Sequence, residues 1–215
     1  MDREKQLRLR RHRRRAGPSW AVAALVAWAG VAGAQEYHVD RRAENSVRFI
    51  SRASIEEFEG VTDRIDGYVL LGEGGLGKGA TGEGTALYLE VDLASLDTGI
   101  GLRNRHMRDN YLEVADHPFA TFQARIQEVE TVADGGFRVT AQGDLTIHGV
   151  ARGRELTCRV DPRGGGYRAR CNFEVLLSDH DIEIPKVMFL KLANEIRLEL
   201  DFQVRPAGPP NGGRR

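Results

Sequence analysis

The chain has 215 residues, of which 31 are Lys or Arg and 31 are Asp or Glu. The first 34 residues hold eight of the basic and two of the acidic side chains, so the rest carries 23 basic and 29 acidic groups, a net charge of −6. That charge, with no basic stripe, excludes the usual footprint of a nucleic-acid-binding protein. The remaining length suits one domain with a full-sized core.

Residues 1–34 have the organisation of a secretory signal peptide. The basic segment "RLRRHRRRAGPSW" precedes the apolar "AVAALVAWAGVAGA", which ends in small residues before Gln35. The apolar stretch is too short to cross a bilayer comfortably. We therefore predict removal of residues 1–34 and a periplasmic or secreted mature protein. An uncleaved anchor is the alternative, and the export route, Sec or twin-arginine, stays open.

Alternation of apolar and polar residues with period two dominates the mature chain. In "EIRLELDFQVR", the apolar residues from Ile196 to Val204 occupy every second position. Such a strand buries one face and exposes the other. Eight segments of this kind predict an all-β fold, an eight-stranded antiparallel barrel, with a two-sheet sandwich as the alternative that buries the same faces. The predicted strands are 47–55, 65–71, 86–93, 119–126, 137–147, 156–160, 167–177 and 196–204.

One segment, "RNRHMRDNYLEVADHPFATF" at residues 103–122, interrupts the alternation. Leu102 and His106, like Met107 and Tyr111, are four residues apart, which favours a short helical insert over one end of the barrel. His117 precedes Pro118, so we expect it to be extended, at the start of the next strand.

The histidines and glycines of the chain do not form a recognisable catalytic or metal-binding motif. His106 and His117 lie on different predicted elements without an H-x-x-x-H frame, and His148 and His180 lie near other turns. The glycine-rich "GEGGLGKGATGEG" lacks G-K-[ST] and reads as a hairpin loop. We predict no metal and no catalytic residues. A secreted hydrolase-type or stress-response enzyme using the Arg/His cluster of residues 103–117 is the alternative.

The two cysteines, Cys158 and Cys171, flank "DPRGGG". A hairpin closing on Pro162 and Tyr167 pairs positions whose numbers sum to 329, and the two cysteines satisfy that sum. Facing cysteines on adjacent strands can form a disulfide in an oxidising compartment. A slipped register would leave two free thiols.

Beyond the last strand, the sequence is rich in proline and glycine. We therefore assign residues 35–205 to one barrel domain and residues 206–215 to a disordered tail.

The order of motifs resembles the YceI-like family of exported polyisoprenoid-binding proteins from Tyr37 to about Val204. The resemblance is carried by "YHVDRRAENSVRF", "SLDTG", "RNRHMR", "HPFATF" and "GDLTIHGVAR". It implies a lipocalin-like barrel that holds an isoprenoid chain, a polyprenyl lipid or a quinone tail, without catalytic residues. The segment "SDHDIEIPKVMFLKLANEI", which includes Pro185, and the two cysteines depart from the family pattern, so the identity of the ligand stays open.

These expectations define a candidate ligand site and candidate partners. Arg103 and His106 would lie at the cavity mouth, where cationic donors suit an anionic or carbonyl-bearing ligand end. A filled core without a cavity is the alternative. Beyond a bound isoprenoid lipid or quinone we expect no cofactor and no nucleic acid, but transient contact with a membrane or a quinone-using membrane protein. The oligomeric state is open, a dimer included. The inward candidates are Val47, Phe49, Val69, Leu89, Val91, Phe122, Leu145, Ile147, Phe173, Leu198 and Phe202.

Overall fold

A computed structural model describes residues 35–53, 57–72, 75–77, 80–184, 186–187 and 190–208. The predicted signal peptide, Pro185 and residues 209–215 of the predicted tail lie outside these ranges. What the sequence predicts for them therefore stays a prediction. Within them, no helix has the length and hydropathy needed to span a membrane.

Antiparallel strands make up most of the described chain, with one short α-helix. The alternating apolar residues explain why, since each strand buries one face and leaves the other in solvent. The strands are β1 (Gln35–Val39), β2 (Ser46–Ala53), β3 (Glu57–Thr62), β4 (Ile65–Leu71), β5 (Ala86–Asp92), β6 (Phe119–Thr131), β7 (Phe137–Ile147), β8 (Val150–Arg163), β9 (Gly166–Leu176), β10 (Lys186–Val187) and β11 (Leu190–Pro206), and the helix is α1 (Gly101–His106).

The strands close into a ring, which confirms the barrel and excludes the sandwich. The order β1-β4-β5-β6-β7-β8-β9-β11 returns to β1, because β11 also pairs with β1. Over its earlier part β11 pairs instead with β2, which continues to β3. The pairs β1/β2 and β3/β4 therefore share two positions of an eight-stranded antiparallel barrel. Closure leaves few unpaired strand edges.

Within the described residues all eight predicted strands are present, and three short ones are added. Residues 54 and 55, at the end of the first predicted strand, lie outside the described ranges. β1, β3 and β10 were not predicted. β1 and β3 have only two buried residues each, and they share their positions in the barrel with β2 and β4. β10 consists of two residues. β8 begins at Val150, six residues earlier than predicted, because hydrogen bonding to β7 extends a strand whose first residues are exposed. β11 continues to Pro206, one residue into the predicted tail.

The two ends of the barrel are different. At the end that we call the mouth, β5, β7 and β9 finish, and α1, a π-helical turn (Met107–Tyr111) and a 3-10 turn (Leu177–His180) lie there. This confirms the predicted helical insert. At the opposite end, the glycine-rich segment joins β4 to β5 as a hairpin loop, and its residues Leu76 and Ala80 are buried in the core. The backbone N–H of Leu76 donates to the hydroxyl of Tyr167 at 3.3 Å.

The predicted disulfide between Cys158 and Cys171 is present. The two residues face each other across β8 and β9 with their Cα atoms 4.4 Å apart. The register matches the prediction. The turn is shorter than predicted, because a hairpin closing on Pro162 and Tyr167 would leave a loop of four residues. Only Gly164 and Gly165 lie between the paired residues, with φ values of +58° and +82°. Positive φ at both positions is typical of a type I′ turn, which fits the twist of a hairpin.

Candidate functional site

One large cavity runs through the barrel. Its volume is about 1030 Å³, at the upper end of the range for small-molecule pockets. The inward faces of the strands form its wall, including the apolar residues of β11 from Ile196 to Val204. The alternative of a filled core is therefore wrong: eight strands here enclose a space.

The cavity opens at the mouth. Ile100 and Leu102 line it and yet have 53% and 62% of their surface exposed, so the apolar wall continues out to solvent there. Leu176, at the end of β9, also lines the cavity and is 37% exposed. A long apolar molecule could therefore enter along an apolar rim.

All of the candidate ligand-binding residues lie on the wall of this cavity. The inward candidates are distributed along it, and Arg103 and His106 lie at the mouth on α1. Whether each residue contacts a ligand stays a prediction. The alternation of the strands was sufficient to place the inward set, because side chains of neighbouring residues point to opposite faces of a sheet.

Several wall residues were not predicted from the sequence. Cys158 and Cys171, which form the disulfide, line the cavity, and so do Leu76 and the buried His180. The register that paired the cysteines also put them on the apolar face, so that signal was available. No sequence pattern indicated that Leu76 and His180 face the cavity, because they lie in a loop and a short turn without periodicity.

At the end of the cavity away from the mouth, two tyrosines meet. The rings of Tyr37 and Tyr167 lie 5.3 Å apart between centroids, and the Tyr37 hydroxyl donates to Gln35 Oε1 at 2.9 Å. Burial, and then the neighbouring Tyr167, raise the pKa of Tyr37 to about 12. The phenol therefore stays neutral, which preserves the apolar character of this end.

Ser51 is a polar exception in the wall. It is 1% exposed, it lines the cavity, and its hydroxyl has no hydrogen-bond partner within the described residues. A buried hydroxyl without a partner costs free energy. A polar group of a bound molecule would satisfy it.

The arginines of the helical insert hold α1 in place over the mouth. Arg103 donates to the hydroxyl of Thr98 at 2.9 Å and to its carbonyl at 2.7 Å, and its guanidinium lies 4.7 Å from the centre of the Phe58 ring. Arg108 donates to the carbonyl of Leu96 at 2.7 Å. These charges therefore fasten the helix to the preceding connection.

Asn104 and Asp97 complete this attachment. Asn104 accepts hydrogen bonds from the backbone and the hydroxyl of Thr98, and its own amide donates to Asp97 at 2.7 Å. That bond, then the Gly99 N–H and the charge of Arg108, lower the pKa of the Asp97 carboxyl. Since its folded pKa lies below the unfolded value, Asp97 stabilises the fold above the unfolded pKa, and the contribution is lost as the pH falls through the folded pKa.

Replacing Asn104 with alanine is expected to raise the pKa of Asp97 towards its ordinary value of 3.8, because the strongest hydrogen bond to the carboxylate is removed. NMR titration of the Asp97 side chain would measure the change. The variant should also lose less stability between neutral and acidic pH than the wild type, because a folded pKa closer to the unfolded value leaves less stabilisation to lose. Asp134, whose pKa Arg159 lowers at the other end of the barrel, serves as the internal control and should not shift. An unchanged Asp97 titration would contradict the assignment.

The fold and the cavity together define a lipocalin-like β-barrel, an eight-stranded closed sheet around one apolar chamber. Residues 37–204 match the family model described as the YceI-like domain. The chain belongs to the YceI-like family.

Other proteins are similar to this chain in sequence or in fold. An UPF0312 protein of Vibrio cholerae is 24% identical over 174 residues, covering 76% of this chain and 86% of the relative. Among solved structures, Burkholderia cenocepacia BcnA has a TM-score of 0.62 at 18% identity, covering 77% of this chain and 98% of that one. A polyisoprenoid binding domain from Saccharophagus degradans, implicated in plant cell wall breakdown, has a TM-score of 0.60 at 18% identity, covering 80% and 98%. These likenesses show a common fold.

Proposed function

We propose that this protein is an exported, non-catalytic lipid-binding protein that holds an isoprenoid chain, a polyprenyl lipid or a quinone tail, in its cavity. The observation that carries the proposal is the apolar cavity of about 1030 Å³ that opens through an apolar rim. Burial of apolar surface contributes about 25 cal/mol per Å², so a long hydrocarbon chain can bind tightly with few directional contacts.

Two further features support this proposal. The Saccharophagus degradans domain with the same fold is described as polyisoprenoid binding. Ser51, buried in the wall without a partner among the described residues, offers one hydrogen bond to the polar end of such a molecule. A quinone carbonyl would accept a hydrogen bond from the Ser51 hydroxyl, and a prenyl hydroxyl could accept or donate one.

Enzymatic use of residues 103–117 has no specific observation in its favour. Arg103 and Arg108 donate to backbone carbonyls of the segment that precedes α1. The attachment of the helix accounts for these two arginines, so the proposal assigns no reaction to them.

The proposal is tested by the lipid that the protein carries. Expressed with its leader in a quinone-rich bacterial host, the protein should appear in the periplasmic or secreted fraction with its N-terminus at Gln35. Solvent extraction and mass spectrometry of the purified protein should yield an isoprenoid in near-stoichiometric amount. Protein that is empty by native mass spectrometry, or that carries only membrane phospholipid, would contradict the proposed ligand.

A further inference from the structure

Three side chains with metal-binding atoms converge at the mouth, outside the cavity wall. Glu113 follows the π-helical turn, His117 immediately precedes Pro118 and β6, and His148 lies in the turn between β7 and β8. One ligand atom from each lies within 4.8 Å of the others, the one such trio among the described residues. In sequence, His148 is separated from the other two by the whole β6–β7 hairpin, so spacing alone could not reveal the group.

The hydrogen bonds of His148 orient it as a metal ligand. Its Nδ1 lies 3.2 Å from the carbonyl oxygen of His180, which can only accept, so Nδ1 carries a proton. Its Nε2 lies 3.2 Å from Glu113 Oε2. A carboxylate also only accepts, so this contact is satisfied either by a proton on Nε2 or by a metal ion that both atoms bind. A metal-binding histidine typically donates its other ring N–H to a carbonyl or carboxylate in this way.

The distances also suit a metal ion. With metal–nitrogen bonds of about 2.0–2.1 Å, the ligand atoms of a tetrahedral site lie roughly 3.3 Å apart. Glu113 and His148 already satisfy that spacing at 3.2 Å. All three ligand atoms fall within 4.8 Å of one another, so His117 has to move inward by at most about 1.5 Å to join the other two.

The backbone around the trio makes room for it. Gly149 has φ +72°, and a Cβ at this position would meet the ring of His117 at 2.6 Å, so only glycine allows the imidazole to approach His148. The two imidazoles lie 4.8 Å apart between centroids. Glu113 and His148 themselves have φ values of +46° and +52°. A left-handed conformation in a residue with a side chain costs free energy and is often kept at functional sites.

We propose that Glu113, His117 and His148 bind a divalent transition-metal ion. Two histidines and one carboxylate form a ligand set used for Zn²⁺ and for Fe²⁺, and three protein ligands leave a coordination position open. The site lies at the same end of the barrel as α1 and the cavity mouth. It is independent of the isoprenoid proposal, since none of the three residues lines the cavity.

The test uses Zn²⁺ with protein that carries no polyhistidine tag and has been stripped with chelator. Isothermal titration calorimetry should show one equivalent bound, and Co²⁺ should give visible d–d absorption from the same site. His148→Ala and His117→Ala should each weaken binding at least about 100-fold, beyond the roughly 10–100-fold typical of losing an outer-shell partner. Glu113→Gln, a conservative change at an exposed side chain, should weaken it as well.

The matched control is His38→Ala. His38 Nε2 lies 2.8 Å from Glu36 Oε1, so it forms an exposed His/Glu pair that no second histidine joins among the residues that the structure describes. This variant should bind Zn²⁺ like the wild type, and circular dichroism should show that every variant keeps its strand content. Absence of one-equivalent binding in the wild type, or loss of binding in His38→Ala but not in His148→Ala, would overturn the proposal.

Discussion

Replacing Ala141 with tryptophan is expected to reduce the isoprenoid that copurifies with the protein at least tenfold. Ala141 is a buried residue in the middle of β7 and lines the cavity. An indole at this position would occupy space that a hydrocarbon chain otherwise fills. Each buried CH₂ contributes about 0.8 kcal/mol, so displacing one five-carbon unit costs on the order of 4 kcal/mol. That is more than a hundredfold in affinity.

The adjacent residue supplies a matched control. Gln142 is exposed on the outer face of the same strand, so Gln142→Trp adds the same ring outside the barrel and should leave the lipid content unchanged. Overpacking a filled core costs about 1–3 kcal/mol. The free energy of unfolding of Ala141→Trp should fall by less than this relative to the wild type, because the indole enters existing space. Lipid content is measured by extraction and mass spectrometry, and stability by urea unfolding. Equal lipid in both variants would place the ligand elsewhere.

Removing the disulfide is expected to lower the free energy of unfolding by about 3 kcal/mol. The bond joins residues 13 apart in sequence, and the loss of chain entropy in the unfolded state predicts about that value for a loop of this length. Urea unfolding of the oxidised and reduced protein measures the difference as a shift of the midpoint.

The double variant Cys158→Ala/Cys171→Ala is the control for the reductant. Its stability should be lower than that of the oxidised wild type and should not change when reductant is added. Alanine is preferred to serine because both positions line the apolar cavity, where a hydroxyl would lack a partner. Equal stability of oxidised and reduced wild type would show that the type I′ turn already constrains the hairpin without the bond.

The position of the helical insert could be predicted from the sequence, whereas the contacts of its side chains could not. The i, i+4 pairs of residues 102–111 placed the helix, and the density of charge suggested a functional cluster. In the structure Arg103 and Arg108 fasten the helix, whereas His117 turns towards His148. The partners of these groups are backbone carbonyls, the hydroxyl of Thr98 or residues distant in sequence, and none of these contacts leaves a periodic signal.

The sequence by itself determined the eight-stranded antiparallel plan, the inward face of each strand and the cysteine register. The reason is that side chains alternate across a strand with a period of two, and a hairpin turn fixes which residues pair. Only the tertiary structure decided that the barrel encloses a cavity, that Leu76 is buried at one end, and that Glu113, His117 and His148 meet at the other. The enclosed volume depends on how eight strands close, and the trio depends on which loops share one end of the barrel.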